Sequence, residues 1–200
     1  MSPARARTSL DDIVGAGREL LERDGLEAVT MLAVAERVGV KAPSLYKRLR
    51  DRNALLAAIA ADTARELGTS LEAGAIDADP AASLRAMAHA FRAFAQAHPR
   101  SVELLFADLP ADARSTPEAN AAVAAPIVEA AGRLAGPDHA LEAARLITAF
   151  ARGFTSMETA SAFRLGGDVD EAYRYGVDVL VEALGARSAS QGLARARPRA

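Results

Sequence analysis

Between Lys41 and Arg52 the chain sets Lys41, Lys47, Arg48, Arg50 and Arg52 against a single acid, Asp51, although the 200-residue protein carries a formal charge of −2. Lys41 and Lys47 are its only lysines. Cations at this density suit charge-assisted hydrogen bonds to phosphate oxygens. Ala42, Pro43 and Ser44 lie among them, small enough to let a backbone come close to another surface, and Tyr46 adds an exposed-type aromatic. A cationic run on a helix is more often a solvated face, so the decision rests on the residues that would aim this one.

Other reactive constellations are weaker. His89, His98 and His139 are the only histidines, and none has the His-Glu-x-x-His spacing that turns two imidazoles to one helical face. There is no cysteine, hence no thiolate chemistry and no disulfide. Asp168, Asp170 and Glu171 cluster at a predicted helix start, where carboxylates favour the dipole. Ser156 and Ser161 lack a Gly-x-Ser-x-Gly elbow, and Gly166-Gly167 reads as a turn. No catalytic residue, metal site or cofactor is expected, and the chain is not expected to be an enzyme.

The elements around the cationic run are helical. Half the residues are apolar and a quarter charged. Long Ala, Leu, Glu and Arg runs favour an all-α fold. Met1–Leu55 holds ten basic against eight acidic residues, Thr69–Gly185 nine against sixteen, and the segment from Ala186 four Arg and no acid. A polyanion is therefore expected at the front of the chain. The N-terminus lacks the apolar stretch of a secretory signal. The uncharged stretch around ANAAVAAPIV is too short to span a bilayer. A cytoplasmic protein with no membrane partner is expected.

Ser9 and Asp12 form a capping-box pair before Leu10, Ile13, Val14, Leu20 and Leu21, and Gly25 closes this first helix. Thr30 caps a short second helix to Val38, stopped by Gly39. A third runs from Ala42 to about Leu49 and a fourth from Arg52 to about Leu67. Ala35, Gly39, Val40 and Leu45 stand at spacings of 4, 1 and 5. That pattern supplies a small residue at a helix crossing, a residue tolerant of left-handed backbone, and two apolar anchors. It describes a helix-turn-helix whose second helix presents Lys41 to Arg48 outward.

Residues 8–68 resemble the DNA-binding domain of the tetracycline-repressor (TetR) family, through LLERDGLEAVTM, VAERVGV, PSLY and NALLAAI. The resemblance implies DNA contacts from Thr30, Lys41, Ala42, Pro43, Ser44, Tyr46, Lys47, Arg48 and Arg52. Thr30 and Tyr46 would meet phosphates, and Ala42 to Ser44 with Lys47 would meet base edges. The family often has Tyr-x-His-Phe where this chain has Tyr46-Lys47-Arg48-Leu49.

Residues 79–185 are expected to form a C-terminal helical bundle for effector binding and dimerisation. This body resembles one branch of the family through FRAFAQAHPRSVELLF and ARGFTSMETASAF, with Arg152-Gly153 where that branch often has His-Gly. Met87, Phe91, Phe94, Phe106, Phe150, Phe154 and Met157 come from separate helices; they form either a packed core or, as the resemblance implies, an apolar pocket for a small-molecule effector. In the last helix Tyr173, Val177, Leu180 and Leu184 form one stripe, and Val169, Ala172, Gly176, Val179 and Ala183 form another. Together with Ala149, Gly153, Ser156 and Ala160 on the preceding helix, the second stripe is read as the interface of a homodimer. Residues 186–200 read as a disordered basic tail.

The combined expectation is an all-α transcription regulator, most simply a repressor that leaves a double-stranded operator on binding a partly apolar effector. The competing reading is an all-α small-molecule carrier or scavenger whose N-terminal helices only pack.

Overall fold

A computed structural model describes residues 8–75 and 79–196, with side chains through Arg187. Among these residues there are nine α-helices and no strand: α1 Leu10–Asp24, α2 Met31–Arg37, α3 Ala42–Leu45, α4 Arg52–Glu72, α5 Pro80–Ala97, α6 Pro99–Phe106, α7 Pro117–Ala135, α8 Ala140–Thr159 and α9 Val169–Ala196. The chain divides into two compact units. One holds residues 1–66 with 98–120, the other residues 67–97 with 121–200. The first division therefore falls within α4, which continues through Gly68 to Glu72 rather than stopping at about Leu67. The expected boundary at 68–79 includes residues 76–78, which lie outside the described set.

In the first unit, α1 begins with the anticipated capping box: the Ser9 amide donates to Asp12 at 2.8 Å and the Asp12 amide to Ser9 Oγ at 3.0 Å. Its inward face is Ile13, Val14, Ala16, Gly17, Leu20 and Leu21, whereas Leu10 is exposed. Gly25 ends it at φ 91°. These side chains share one core with Val29, Val34, Leu45, Leu55 and Ile59 from the following elements and Leu104 from α6. α6 also receives its cap from α1. His98 supplies no side-chain cap, and the Glu22 carboxylate accepts instead from the amides of Arg100 at 3.2 Å and Ser101 at 2.8 Å.

In the second unit, Asp79 Oδ1 accepts from the amides of Ala81 and Ala82, so Asp79-Pro80 opens α5 as the sequence suggests. α7 runs as one helix from Pro117 to Ala135 with Pro126 inside it. α8 starts at Ala140 behind a 3₁₀ turn over Pro137–His139. It buries Ala143, Ala144, Ile147, Ala151 and Thr155, a narrow small-residue face. Asp168 Oδ1 accepts from the amides of Asp170 and Glu171 and starts α9. Tyr173, Val177, Val181 and Leu184 are the buried stripe of α9, with Leu180 at its edge. The helix continues through Ala196, so residues 186–196 are not the irregular tail expected from composition. A helix already propagating through Ala, Ser, Gln and Leu adds a hydrogen bond with each further residue, which composition alone does not register. Residues 197–200 of that expected tail lie outside the described residues.

Candidate nucleic-acid interface

The local geometry from Thr30 to Arg52 follows from a few hydrogen bonds. Thr30 is extended, with φ −120° and ψ 154°, and its hydroxyl accepts from the Ala33 amide at 3.1 Å to start α2. At the other end the Gly39 amide donates to Glu36 O at 3.1 Å and the Val40 amide to Ala35 O at 2.9 Å. Those two bonds are a Schellman closure, which requires left-handed backbone at the residue after the cap. Gly39 has φ 74°. Ala35, 1% exposed, is the small residue beneath this wrap.

α3 is one turn of α-helix rather than two. It covers Ala42–Leu45 and continues as hydrogen-bonded turn, with the amides of Arg48 and Leu49 both donating to Leu45 O. Lys41 is the residue before it, and Pro43 sits in the first turn, where no amide donor is missed. Leu45 is 1% exposed and Leu49 is buried, so both point into the core. Lys41, Pro43, Ser44, Tyr46, Lys47 and Arg48 point outward, and Ala42 is half-buried beside them. Tyr46 is 54% exposed, a large ring left in solvent next to Lys47 in the chain.

The five cations divide by partner. Lys41, Lys47 and Arg48 take part in no ion pair among the described residues. Arg50 bonds Asp51 at 2.7 Å and Asp112 at 3.2 Å, and Asn53 Nδ2 donates to Asp112 at 3.1 Å. The Ala54 amide and then Arg50 hold the Asp51 carboxyl below its ordinary range, keeping it ionised as the cap of α4. Arg52 turns inward, as described below. Three cations of the segment are thus exposed without an ion pair among the described residues, and two are engaged within the fold.

In the second unit the predicted aromatic residues only partly converge. Met87, Phe91 and Phe94 are buried on α5. Phe150 and Phe154 on α8 lie with ring centres 5.7 Å apart, and each packs on Tyr173 of α9, at 5.6 and 5.1 Å. Phe163 and His89 complete the cluster. Met157 does not join it: it is 48% exposed, because it stands about 200° around the helix from buried Thr155. Phe106 lies half-exposed on α6, in the first unit.

The polar part of this cluster is absent from any sequence pattern. Arg92, 8% exposed, donates to Glu158 at 2.6 and 2.9 Å and to Asp170 at 2.6 Å, with its guanidinium 4.8 Å from the Tyr173 ring centre. Tyr173 is fully buried and donates its hydroxyl to Ala88 O at 2.6 Å. Burial pushes that phenol well above its ordinary value, whereas the hydrogen bonds from Arg92 hold Glu158 below its own. Tyr173 is on the predicted inward stripe, but the carbonyl that its hydroxyl meets is 85 residues away in the chain, and no local spacing encodes it.

The small-residue faces read as an interface also differ from expectation at one position. Ala149, Gly153, Ser156 and Ala160 of α8 and Ala172, Val179 and Ala183 of α9 are exposed, and Val169 is half-buried. Gly176 instead lies under the ring of Phe150, so its missing side chain serves the chain's own packing. Arg145 and Arg152 are exposed on α8.

Residues 13–59 match the family profile of bacterial regulatory proteins of the tetR family, and residues 84–180 match a tetracyclin repressor-like C-terminal domain. The chain belongs to the TetR family. Members are DNA-binding transcriptional regulators, and so is this protein. Its fold is similar to that of a protein of unknown function from Rhodococcus sp. RHA1, at 25% identity and a TM-score of 0.80, covering 92% of this chain and 100% of that one. A TetR-type transcriptional regulator from Streptomyces coelicolor aligns at 20% identity and TM-score 0.68, covering 90% and 98% of the two chains. A TetR variant from Acinetobacter baumannii AYE in complex with minocycline aligns at 23% and 0.64, covering 86% and 93%. No curated protein matches the chain. No helix among the described residues is long and apolar enough to cross a membrane.

Proposed function

We propose that this TetR-family regulator is a homodimeric, ligand-responsive repressor whose α2–α3 segment reads a double-stranded operator. One observation carries the DNA contacts: from Lys41 to Leu49, Leu45 and Leu49 face the core while Lys41, Pro43, Ser44, Tyr46, Lys47 and Arg48 face out, and the three cations take part in no ion pair among the described residues. Ala42 to Ser44 can approach base edges in the major groove because they have little side chain to displace, and Lys47 reaches further along the same edge. Thr30, Tyr46 and the remaining cations meet phosphates.

The exposed small-residue face of α8 with Ala172 and Val179 of α9 is the dimer surface in this reading. Leu146 and Met157, both close to half exposed, flank it and supply apolar area. The effector site is placed in the second unit beside Phe91, Phe94, Phe150 and Phe154, in keeping with a cluster of apolar rings that holds a few fixed polar groups. The ligand named for the Acinetobacter relative supports a small-molecule effector as a class. Release of DNA then requires only that the effector bind one conformation of the dimer better than the other. α4 and α7, each shared by the two units, are the continuous elements along which that preference would travel.

Selection of bound duplexes from a random library with the purified protein tests the reading. The expected product is a pair of inverted half-sites whose spacing matches a two-fold dimer. Failure to enrich any sequence, with binding insensitive to salt, would remove the operator from the account and favour a carrier.

A further inference from the structure

Arg52 opens α4, the end of a helix where unpaired amides make a cation unfavourable. Its guanidinium avoids that end. Nε donates to Val29 O at 2.6 Å and an Nη donates to Leu26 O at 2.7 Å, both in a part-buried setting. The two carbonyls belong to the first residue of the 3₁₀ turn between α1 and α2 and to the residue that closes it, 26 and 23 residues earlier in the chain. Val29 is fully buried and directly precedes Thr30, whose extended backbone and hydroxyl begin α2.

We infer that Arg52 is a positioning residue for DNA recognition and not a phosphate ligand: its forked grip on Leu26 and Val29 fixes where Thr30 starts α2 and presents its hydroxyl end. This rests on the DNA-binding reading above. A planar fork suits two carbonyls in different directions, whereas an ammonium is a single point donor. Charge alone therefore does not satisfy the position. The contrast with Lys47 and Arg48 is direct, since those side chains are exposed and hold no partner of this kind among the described residues.

The test compares the wild type with Arg52→Lys and Arg52→Gln on one duplex recovered by selection with the wild type. Affinity is measured across a salt series below the melting temperature of every variant, and amide exchange at residues 29–33 is followed in the DNA-free protein. Both variants should bind about tenfold more weakly with the wild-type log–log salt slope, and both should exchange faster at those amides. Retained affinity in Arg52→Lys, together with a slope lowered by about 0.9 in Arg52→Gln, is the signature of a lost phosphate contact and overturns the inference. Wild-type affinity in both variants overturns it too, even if both melt earlier. A wild type that binds no duplex overturns the DNA reading itself, and is recognised before any substitution is made.

Discussion

The ring of Phe150 rests on the backbone of Gly176 so closely that a Cβ at that glycine would overlap its outer carbons. Gly153 is the opposite case: a Cβ built there meets nothing within 4 Å. Two glycines inside neighbouring helices thus have different causes. A helix-interior glycine costs about 1 kcal/mol relative to alanine. At Gly176 that cost is offset by the packing of an aromatic ring. At Gly153 no contact among the described residues offsets it, which agrees with a second helix coming close.

Two substitutions separate these causes. Gly176→Ala should lower stability by about 1–2 kcal/mol, because overpacking outweighs the gain in helix propensity. Gly153→Ala should leave the chain as stable or raise stability by up to about 1 kcal/mol. Gly153→Arg should keep the helical circular dichroism spectrum but shift sedimentation toward monomer. If Gly153→Arg remains a dimer at micromolar concentration, the α8 face is not the interface.

Glu158 predicts how the second unit responds to acid. The hydrogen bond from Arg92 lowers its pKa in the folded chain, outweighing burial. A carboxyl depressed in the folded state contributes stability above its unfolded pKa, about 4.3, and loses that contribution as pH falls through the folded value. Thermal melts should therefore show a decline beginning below about pH 4.5. Glu158→Gln should be less stable at pH 7 and flatter across the acid range, converging with the wild type once Glu158 of the wild type is protonated. Arg92→Met should be the harsher change, about 3 kcal/mol, since it leaves Glu158 without its strongest partner and removes the contact with the Tyr173 ring. An acid slope unaltered in Glu158→Gln would show that other carboxyls govern it.

Legibility in the sequence tracked how local each cause is. Ser9 with Asp12, Thr30 before Met31, Gly39 after Val38 and Asp79 before Pro80 act within a few residues, and each stands where its spacing placed it. The outward set from Lys41 to Arg48 was readable because Leu45 and Leu49 fix the turn's inner face. Arg52 was not, since its type and position gave only a charge, while its role depends on carbonyls more than twenty residues away. The surroundings of Met157 and Gly176 were not legible for a related reason. Periodicity assigns a residue to a stripe, but which stripe meets the chain's own core is decided by neighbouring helices, here by the rings of Phe150 and Tyr173.

Glu22 extends the same lesson into a stability prediction. Its carboxylate closes the amides of Arg100 and Ser101 at the start of α6, a cap supplied from another helix. Arg100 Nη1 answers by donating to Glu22 O at 3.2 Å near the end of α1. Glu22→Ala should cost about 1 kcal/mol, the usual loss for a removed cap, with Glu22→Gln recovering part of it. Urea unfolding measures both; equal midpoints for all three proteins would deny the cap any net effect.

Lys47 and Arg48 offer the sharpest division between binding and folding. Both are exposed and take part in no ion pair among the described residues, so replacing either with alanine should change stability by no more than about 0.5 kcal/mol. On the selected duplex Arg48→Ala, at a phosphate contact, should lower the log–log salt slope by about 0.9, whereas Lys47→Ala, at a base edge, should weaken binding and relax the sequence preference. Leu45→Ala is the matched control from the same turn. It empties a site 1% exposed and should cost about 2–5 kcal/mol of stability. Below its melting temperature it should retain the wild-type salt slope, because it removes no charge. If Arg48→Ala keeps the wild-type slope, its side chain touches bases or solvent, and the phosphate contacts lie elsewhere on the surface.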